Sequence, residues 1–361
     1  MRPRAVTGLG VVSPLGTGRE AFLGAIRSGK VPAYGGAAEV PGFDAAEHLG
    51  DKGLRSLDRL TKLLIVATRQ ALHDAGLKKD GAWSGGTGES VGMVVSNAYG
   101  SLEAITELDR VALLEDARYI NPARFPLTVH NSAAGYASIW EDVRAMNVSV
   151  SDGNCGALDA VACADVFLGH DRARALLVGG AEAMSEALQL AFTKLGAMQE
   201  GAVLGEGAAL LVLETPERAK ERGARVEAEV FGYGTAFEPP VREGILLHPS
   251  TEAMMRAIHE ALDDSGVAAG DVDLVVSGAS GVRAFDEAET LAIRRVLGDE
   301  VDVKTPKRAL GESLGAGGAM CMAAALAHFT GAEPGAPRVA LITSLGFYGN
   351  ASAVVMRGAN P

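Results

Sequence analysis

Residues 149–159 read Ser-Val-Ser-Asp-Gly-Asn-Cys-Gly-Ala-Leu-Asp. This pattern predicts a short strand, a tight turn that contains Gly153, and an Ala-rich helix that runs to about Leu168. A strand-turn-helix unit of this kind is typical of a nucleophile elbow, which presents one side chain at a helix N-terminus. There the backbone amides and the helix dipole favour a thiolate. The chemistry of the chain therefore depends on whether Asn154 or Cys155 occupies the tip.

The two halves of the chain resemble each other in the order of their sequence blocks. In each half an amphipathic helix precedes an apolar strand, and a strand-turn-helix unit and a further apolar strand follow. The paired blocks are 71–76 with 261–266, 93–100 with 274–281, 148–168 with 301–329, and 175–180 with 339–343. Such a repeat predicts duplicated α/β halves with buried strands, and functional groups where the halves meet. We place the halves at 1–222 and 223–361, because the charged helical stretch 216–223 joins them.

Charge limits the classes of partner. The chain has 361 residues, of which 48% are hydrophobic and 22% charged, and its formal net charge is −12 at pH 7. This acidity argues against nucleic acid and against anionic membrane surfaces as partners.

The cysteine spacing and the first residues of the chain indicate the cellular compartment and whether a metal or cofactor is bound. Cys155, Cys163 and Cys321 show no disulfide or metal-binding spacing, and the first apolar run is too short for a signal sequence or a membrane span. The Gly-x-Gly at 8–10 lacks the third glycine of a dinucleotide-binding loop, so an oxidoreductase is a remote alternative. We expect a cytoplasmic protein that holds no metal and no cofactor.

Several short motifs follow one another along nearly the whole chain. They are Val-Thr-Gly-Leu-Gly-Val-Val-Ser-Pro-Leu-Gly at 6–16, Val-Gly-Gly-Ala-Glu-Ala at 178–183, Gly-Glu-Gly-Ala at 205–208, Lys307 with Gly311, and Gly-Phe with Asn-Ala-Ser at 346–352. In these motifs the chain resembles the β-ketoacyl-acyl-carrier-protein synthases of the thiolase fold. The resemblance implies an α/β thiolase fold of five αβαβα layers, built from two duplicated halves. It also implies a dimer whose active-site tunnel is completed across the interface.

Working synthases of this family carry a cysteine at the elbow and two histidines in the second half of the chain. Counting back from the Gly-Ala-Leu-Asp-Ala run at 156–160, the place of the nucleophile falls on Asn154, and Cys155 lies one residue later. An asparagine amide has no titratable proton. It therefore cannot form the thioester on which the synthase reaction depends.

Both histidine positions of the family are substituted as well. The first histidine lies eight residues before an aspartate, and counting back from Asp286 gives Gly278. The second follows a Lys-x-x-x-Gly motif, and here Lys307 to Gly311 leads into Glu312. A glycine supplies no side-chain donor, and a glutamate anion opposes the enolate that forms when a malonyl thioester loses carbon dioxide. Losing one such donor costs on the order of 3–4 kcal/mol, so we expect no condensation in this site.

This combination of residues resembles the chain-length factors, the inactive partner subunits of two-component synthases. The resemblance implies a non-catalytic subunit that forms a heterodimer with an active β-ketoacyl synthase and sets the length of a polyketide or polyene. Acyl carrier protein would dock mainly on the partner. Phe125, Asn131 and Tyr136 are the candidates for lining the shared tunnel, and Phe347 matches the gating phenylalanine of the family.

Other interpretations of these residues remain open. An atypical acyltransferase or a malonyl-carrier decarboxylase would use Cys155 or Asn154. Against this, a free cysteine is most often a buried small apolar residue. Glu312 also has a structural interpretation, as the ion-pair partner of Arg308 or of Lys307.

Overall fold

The computed structural model describes residues 1–198, 201–242, 244–245, 247–329 and 338–359. The strands are β1 Arg4–Ser13, β2 Gly16–Thr17, β3 Lys78–Lys79, β4 Ala82–Trp83, β5 Val91–Ser96, β6 Asn147–Val150, β7 Ala175–Glu182, β8 Gly207–Glu214, β9 Ala228–Phe237, β10 Leu274–Val276, β11 Asp302–Lys304, β12 Val339–Leu345 and β13 Asn350–Gly358. The helices are α1 Arg19–Ser28, α2 Ala45–Leu49, α3 Arg59–Asp74, α4 Leu102–Val111, α5 Ser132–Trp140, α6 Gly156–Gly169, α7 Glu186–Lys194, α8 Pro216–Glu221, α9 Thr251–Ser265, α10 Arg283–Leu297, α11 Lys307–Leu310 and α12 Gly317–Phe329.

Two five-stranded units with the same strand order make up one continuous sheet. The first unit has the order β6-β5-β7-β8-β1, and the second has the order β11-β10-β12-β13-β9. In each unit the first two pairs are parallel and the other two are antiparallel. The units join where β1 runs antiparallel to β9, with Arg4 opposite Val230. The duplication predicted from the sequence blocks is confirmed in the topology.

Three hydrophobic cores alternate with the two sheet units. The central core packs α6 and α12 against strands of both units and contains Leu158, Met320 and Ile342. A second core packs α3 and α5 on the outer face of the first unit, and a third packs α9 and α10 on the outer face of the second. Successive residues of a strand point to opposite faces, so Val94 lies in the central core and Met93 in the second. The layers therefore follow the predicted order αβαβα.

Glycines allow the closest approaches between these layers. A Cβ at Gly10 of β1 would lie 1.9 Å from the carbonyl oxygen of Ala67 in α3. A Cβ at Gly318 of α12 would lie 3.0 Å from the side chain of Leu158 in α6. Larger residues at these positions would push the helices away from the sheet and from each other.

Two strands end earlier than the apolar pattern predicts. β5 ends at Ser96 and β10 ends at Val276, four and five residues before their predicted ends. Asn97 and Ser277, the first residues after β5 and β10, still donate to carbonyls of the neighbouring strands, but the amides that follow them donate to buried carboxylates. Glu182 accepts from two amides after β5, and Glu289 accepts from one after β10. The predicted strand ends were therefore wrong.

None of the helices in the described ranges is long and apolar enough to cross a membrane.

Candidate functional site

The predicted elbow connects β6 to α6. Gly153 has a φ of +54°, and the amide of Cys155 donates to the carbonyl of Asp152 at 3.1 Å, which closes the turn. α6 begins at Gly156, where a Cβ would lie 2.3 Å from Oγ of Ser96. The turn can pass this close to the end of β5 only because residue 156 is glycine. The strand-turn-helix prediction is confirmed.

Asn154 is a buried residue of this turn. Its backbone carbonyl accepts a hydrogen bond of 2.8 Å from Oγ of Ser344 at the end of β12. Its side-chain Oδ1 is buried and finds no hydrogen-bond partner among the residues that the structure describes. A buried acceptor without a partner is unusual and indicates a group that the local packing does not use.

Cys155 is completely buried beside Asn154. Its Sγ lies 3.3 Å from the carbonyl oxygen of Ser344, to which the thiol donates. Burial, and after it the charges of Asp159 and Asp152, raises the pKa of the Cys155 thiol far above its usual range. The thiol therefore stays protonated at neutral pH and resembles a small core residue more than a nucleophile.

Gly278 follows β10 and packs against backbone. A Cβ there would lie 2.9 Å from the carbonyl oxygen of Thr343 and 3.2 Å from Cα of Ser344. The amide of Gly278 donates to Oε1 of Glu289 at 2.8 Å. Glu289 also accepts from the hydroxyls of Ser277 and Thr343, and burial raises the pKa of its carboxyl. Any side chain at position 278 would require the end of β12 to shift.

Glu312 forms a buried ion pair with Lys307. The Lys307 Nζ donates to both carboxylate oxygens of Glu312, at 3.0 and 3.2 Å. Burial lowers the pKa of the Lys307 ammonium, but the facing Glu312 carboxylate raises it, and the net shift is upward. The amide of Leu314 donates to the same carboxylate at 2.9 Å. The structural interpretation with Lys307 as partner is confirmed.

The other partner considered for Glu312 was Arg308, and that alternative is wrong. Arg308 instead donates to Oδ2 of Asp286 at 2.7 Å. Asp286 also accepts from the amides of Ser280 and Gly281. Arg308 thus stabilises the turn after β10.

The end of β12 brings these residues together. Ser344 contacts Asn154 and Cys155 through hydrogen bonds, and it borders Gly278. The positive charge of Lys307 acts on both Cys155 and Glu289. The elbow, Gly278 and the Lys307 ion pair therefore surround one region where the two sheet units meet.

Glu182 is a residue of this region to which the sequence analysis gave no role. It ends β7, and its carboxylate accepts from the amides of Ala98, Tyr99 and Gly315 at 2.7, 3.3 and 3.1 Å. Burial raises the pKa of Glu182 to about 7. The signal in the sequence was an ionisable residue at the end of an apolar strand, because such a residue needs partners when it is buried.

Phe347 lies in an aromatic cluster beside this region. Its ring centroid is 4.9 Å from that of Phe285 and 5.5 Å from that of Phe192. Tyr99 packs edge-on against Phe192, and its hydroxyl lies 3.3 Å from that of Tyr348. Phe347 is buried, so its packing fits a core aromatic residue as well as a gating residue.

Phe125, Asn131 and Tyr136 lie in α5 and in the segment that leads into it. Phe125 is 65% exposed on a short helical segment before α5. Asn131 is exposed at the start of α5, and Tyr136 is half-buried within α5 against the second core. No partner chain is present, so their role in a shared tunnel stays a prediction.

In the ranges that the structure describes, no group of three or more His, Cys, Asp or Glu side chains could hold a metal ion.

Comparisons with known proteins identify the family. The family model described as Beta-ketoacyl synthase, N-terminal domain, matches residues 1–219. The model described as Beta-ketoacyl synthase, C-terminal domain, matches residues 228–332. The chain belongs to the β-ketoacyl synthase family.

The relatives of this chain include both polyketide ketoacyl synthases and 3-oxoacyl-[acyl-carrier-protein] synthases. A putative polyketide beta-ketoacyl synthase 2 of Streptomyces coelicolor is 31% identical, over 100% of this chain and 96% of the relative. The tetracenomycin polyketide synthase ketoacyl synthase beta subunit of Streptomyces glaucescens is 31% identical, over 90% and 85%. A 3-oxoacyl-[acyl-carrier-protein] synthase 2 of Coxiella burnetii is 29% identical, over 87% and 83%.

Solved structures confirm the fold. A chain of the ishigamide ketosynthase/chain length factor superimposes with a TM-score of 0.89 at 24% identity, covering 99% of this chain and all of that one. A beta-ketoacyl synthase from Burkholderia phymatum gives 0.87 at 22% identity, with both chains covered completely. The α/β thiolase fold implied by the sequence resemblance is therefore confirmed.

Proposed function

We propose that this chain is a chain-length-factor-like subunit that lacks the Cys-His-His triad and forms a heterodimer with an active β-ketoacyl synthase. In this proposal the partner supplies the cysteine and both histidines and makes most of the contact with acyl carrier protein. The present chain shapes the acyl tunnel and so sets the length of a polyketide or polyene. In this proposal the chain acts in the cytoplasm. Its N-terminal half comprises residues 1–222, and its C-terminal half comprises residues 223–361. The three free cysteines agree with a reducing compartment.

The observation that carries the proposal is the composition of the elbow. Acyl transfer by this family requires a thiolate at the tip of the turn. Asn154 offers a carboxamide, and Cys155 offers a buried thiol that donates to Ser344 and whose pKa is raised. Neither side chain can take an acyl group from a carrier protein at neutral pH.

The other two positions at which the family's catalytic residues are substituted support the same conclusion. At Gly278 the backbone of β12 occupies the space that a side chain would need. Glu312 neutralises Lys307 within a buried pair, which leaves no donor there for an enolate. Each loss costs on the order of 3–4 kcal/mol of transition-state stabilisation, so condensation in this chain would be negligible.

The two edge strands of the sheet differ in charge, and this difference favours pairing with a partner chain at one edge only. β11, at one end, is exposed and carries Asp302 and Lys304, whose charged groups lie 2.9 Å apart. β6, at the other end, has the uncharged sequence Asn-Val-Ser-Val. Charges on an edge strand discourage pairing with a second chain, whereas an uncharged edge permits it. We therefore place the partner at the β6 edge.

An exposed apolar surface lies beside β6 in the segment 102–140. α5 contacts β6, where Nδ2 of Asn147 donates to the carbonyl of Ala134 at 2.9 Å. Exposed apolar side chains of the segment include Leu113, Leu114, Phe125 and Ile139. Apolar surface of this kind marks protein–protein interaction sites. In the proposed heterodimer, Phe125, Asn131 and Tyr136 line the tunnel, and Phe347 acts as the gating residue.

The relatives are consistent with this role. One of them is named as the beta subunit of a polyketide ketoacyl synthase and is 31% identical to this chain. Two 3-oxoacyl-[acyl-carrier-protein] synthases match at 29–30%, so the composition of the elbow, and not the names of the relatives, carries the proposal.

An atypical acyltransferase or malonyl-carrier decarboxylase is the second candidate. The buried Oδ1 of Asn154 favours it, because no described residue occupies that acceptor and a ligand could meet the amide. The burial of Cys155 weighs against the acyltransferase form.

Co-expression with a β-ketoacyl synthase that has an intact Cys-His-His set tests the proposal. We expect a one-to-one complex that extends malonyl units, with no acyl adduct on this chain by mass spectrometry. A stable homodimer that never captures a synthase would contradict it. Acylation of Cys155, or carbon dioxide release that Asn154→Ala abolishes, would favour the second candidate.

A matched pair of variants locates the interface. Ile139→Asp places a charge on exposed α5, and we expect it to abolish the heterodimer without unfolding the chain. Val166→Asp makes the same change at an exposed position of α6 outside segment 102–140, and we expect it to leave the heterodimer intact. Phe125→Ala should lengthen the product of the complex, because it removes bulk from the proposed tunnel wall.

A further inference from the structure

A cavity of about 370 Å³ lies where strands β5 and β7 begin, at the end of the sheet opposite the elbow. It is lined by the first residues of β5 and β7, Val91 and Ala175, and by the end of α8. β5, β6 and β7 are parallel, and the elbow follows the carboxyl end of β6. A ligand in this cavity would therefore not touch Asn154. The volume of the cavity falls within the range of sites that hold small molecules.

One wall of the cavity is cationic. Arg222 is held by Glu214, at 2.5 to 3.1 Å, and by a backbone carbonyl. Arg218 is held at 2.8 Å by Asp171. Arg174 is exposed, and its guanidinium forms no hydrogen bond or ion pair within the described ranges. The N–H groups of the Arg174 guanidinium are therefore available to donate to a ligand.

A glycine-rich loop supplies further donors on the same cavity. The loop reads Ser-Gly-Gly-Thr-Gly at 84–88, and Gly85 has a φ of +117°. In the described part of the chain, the amides of Gly85 and Gly86 donate to no backbone or side-chain acceptor. A Cβ at Gly86 would meet only Oγ of Ser90, at 3.5 Å, so the loop is open on its cavity side.

The remaining wall is apolar. Trp83 is fixed by a hydrogen bond of 3.0 Å from its Nε1 to Asp142. The ammonium of Lys78 lies 4.7 Å from the centre of the indole ring. Leu77, Val91 and Trp83 together form the apolar lining. A ligand that fits the cavity would have an anionic group at one end and an apolar or aromatic group at the other.

We propose that this cavity binds a small phosphate monoester. Its phosphate would sit between the Arg174 guanidinium and the amides of Gly85 and Gly86, and its organic group would pack on Trp83. Arginine forks and adjacent free backbone amides are the donors that recognise phosphate oxygens. Arg222 pairs with Glu214 and Arg218 pairs with Asp171, so Arg174 is the arginine of the lining left to attract an anion, in a chain whose net charge is −12. Arg174 therefore supplies the charge attraction of the proposed site.

Calorimetric titration tests the proposal without any partner chain. The probes are adenosine 5′-monophosphate, ribose 5-phosphate and inorganic phosphate, with uncharged adenosine as the reference. We expect saturable binding of at least one phosphate monoester at one site per chain, and no binding of adenosine. If inorganic phosphate bound and neither monoester did, the apolar wall would contribute nothing to binding. That result would overturn the monoester assignment.

Two arginine variants locate the site. Arg174→Gln should weaken monoester binding by at least about tenfold, because it removes a charge-assisted contact. Arg172→Gln removes the same charge from an exposed position outside the cavity and should change binding by less than about twofold. Equal losses in both variants would indicate diffuse electrostatic attraction. The absence of any binding in the millimolar range would also overturn the proposal.

Amide NMR shifts give a second readout. Whichever phosphate monoester binds in the titration should shift the resonances of Gly85 and Gly86 in the wild type and not in Arg174→Gln. Shifts confined to other parts of the chain would place the anion elsewhere and contradict the assignment.

Discussion

Replacing Glu312 with glutamine keeps the size of the side chain and removes the charge that faces Lys307. The side chains of Lys307 and Glu312 are 1% and 2% exposed, so water cannot replace the lost carboxylate. Removing one partner of a buried ion pair typically costs about 3–5 kcal/mol. An unfolding entropy of about 2.1 cal/mol/K per residue, applied to 361 residues, converts this cost to a fall of about 4–7 °C in the unfolding temperature.

Differential scanning calorimetry measures this fall, and a double-mutant cycle assigns it to the pair. Lys307→Met with Glu312→Gln should be more stable than the sum of the single losses predicts, by about 1–3 kcal/mol. Glu287→Gln is the matched control, because Glu287 pairs with Arg283 at 3.8 Å on the exposed surface of α10. We expect it to shift the unfolding temperature by less than about 1 °C. A Glu312→Gln variant as stable as this control, or additive single losses, would refute the reasoning.

Three further predictions concern other buried groups. Burial raises the pKa of Glu182 to about 7, so the folded chain retains this proton longer than the unfolded chain. Stability from this group is complete below about pH 4.3 and falls by about 3 kcal/mol as the pH rises through 7. Urea unfolding at several pH values should show that Glu182→Gln flattens this decline. Thiol-reactive reagents followed by mass spectrometry should modify the partly exposed Cys163 and leave Cys155 unmodified until the chain unfolds; modification of native Cys155 would contradict its burial. Gly278→Ala should destabilise the chain by about 1–3 kcal/mol, because its Cβ would lie 2.9 Å from a β12 carbonyl oxygen. Gly24→Ala, on exposed α1 with open space around it, should stabilise the chain by about 0.5–1 kcal/mol in the same urea assay.

Local sequence patterns predicted the elbow and the duplicated α/β halves, whereas the five layers were implied by the resemblance to a known family. The elbow followed from a glycine-containing turn between an apolar strand and an Ala-rich helix, and α6 ends at Gly169, close to its predicted end. The duplicated topology followed from the order of apolar blocks, because buried strands and helices keep their hydrophobic periodicity in both halves. The strand ends did not follow, since they depend on carboxylates that other elements supply, Glu182 at the end of β7 and Glu289 in α10.

The choice of ion-pair partner for Glu312 shows why site details required the structure. A spacing of four residues favours Arg308 only while both residues lie on one helix. α11 ends at Leu310, and Gly311 then adopts a φ of +73°, which turns Glu312 away from the helix axis. Lys307, five residues earlier, therefore becomes the partner. The tunnel residues Phe125, Asn131 and Tyr136 stay predictions, because their proposed role depends on a second chain.

The unequal edges of the sheet also bear on the size of any assembly. A sheet with two adhesive edges could add chains without limit and grow into a fibre. Here the pair Asp302 and Lys304 marks β11 as a terminus, whereas β6 carries no charge. In the proposed heterodimer, a chain that pairs at its β6 edge and not at its β11 edge would join a single neighbour in the hydrogen-bonding direction. The charged copy of the edge strand would then limit the growth of the assembly.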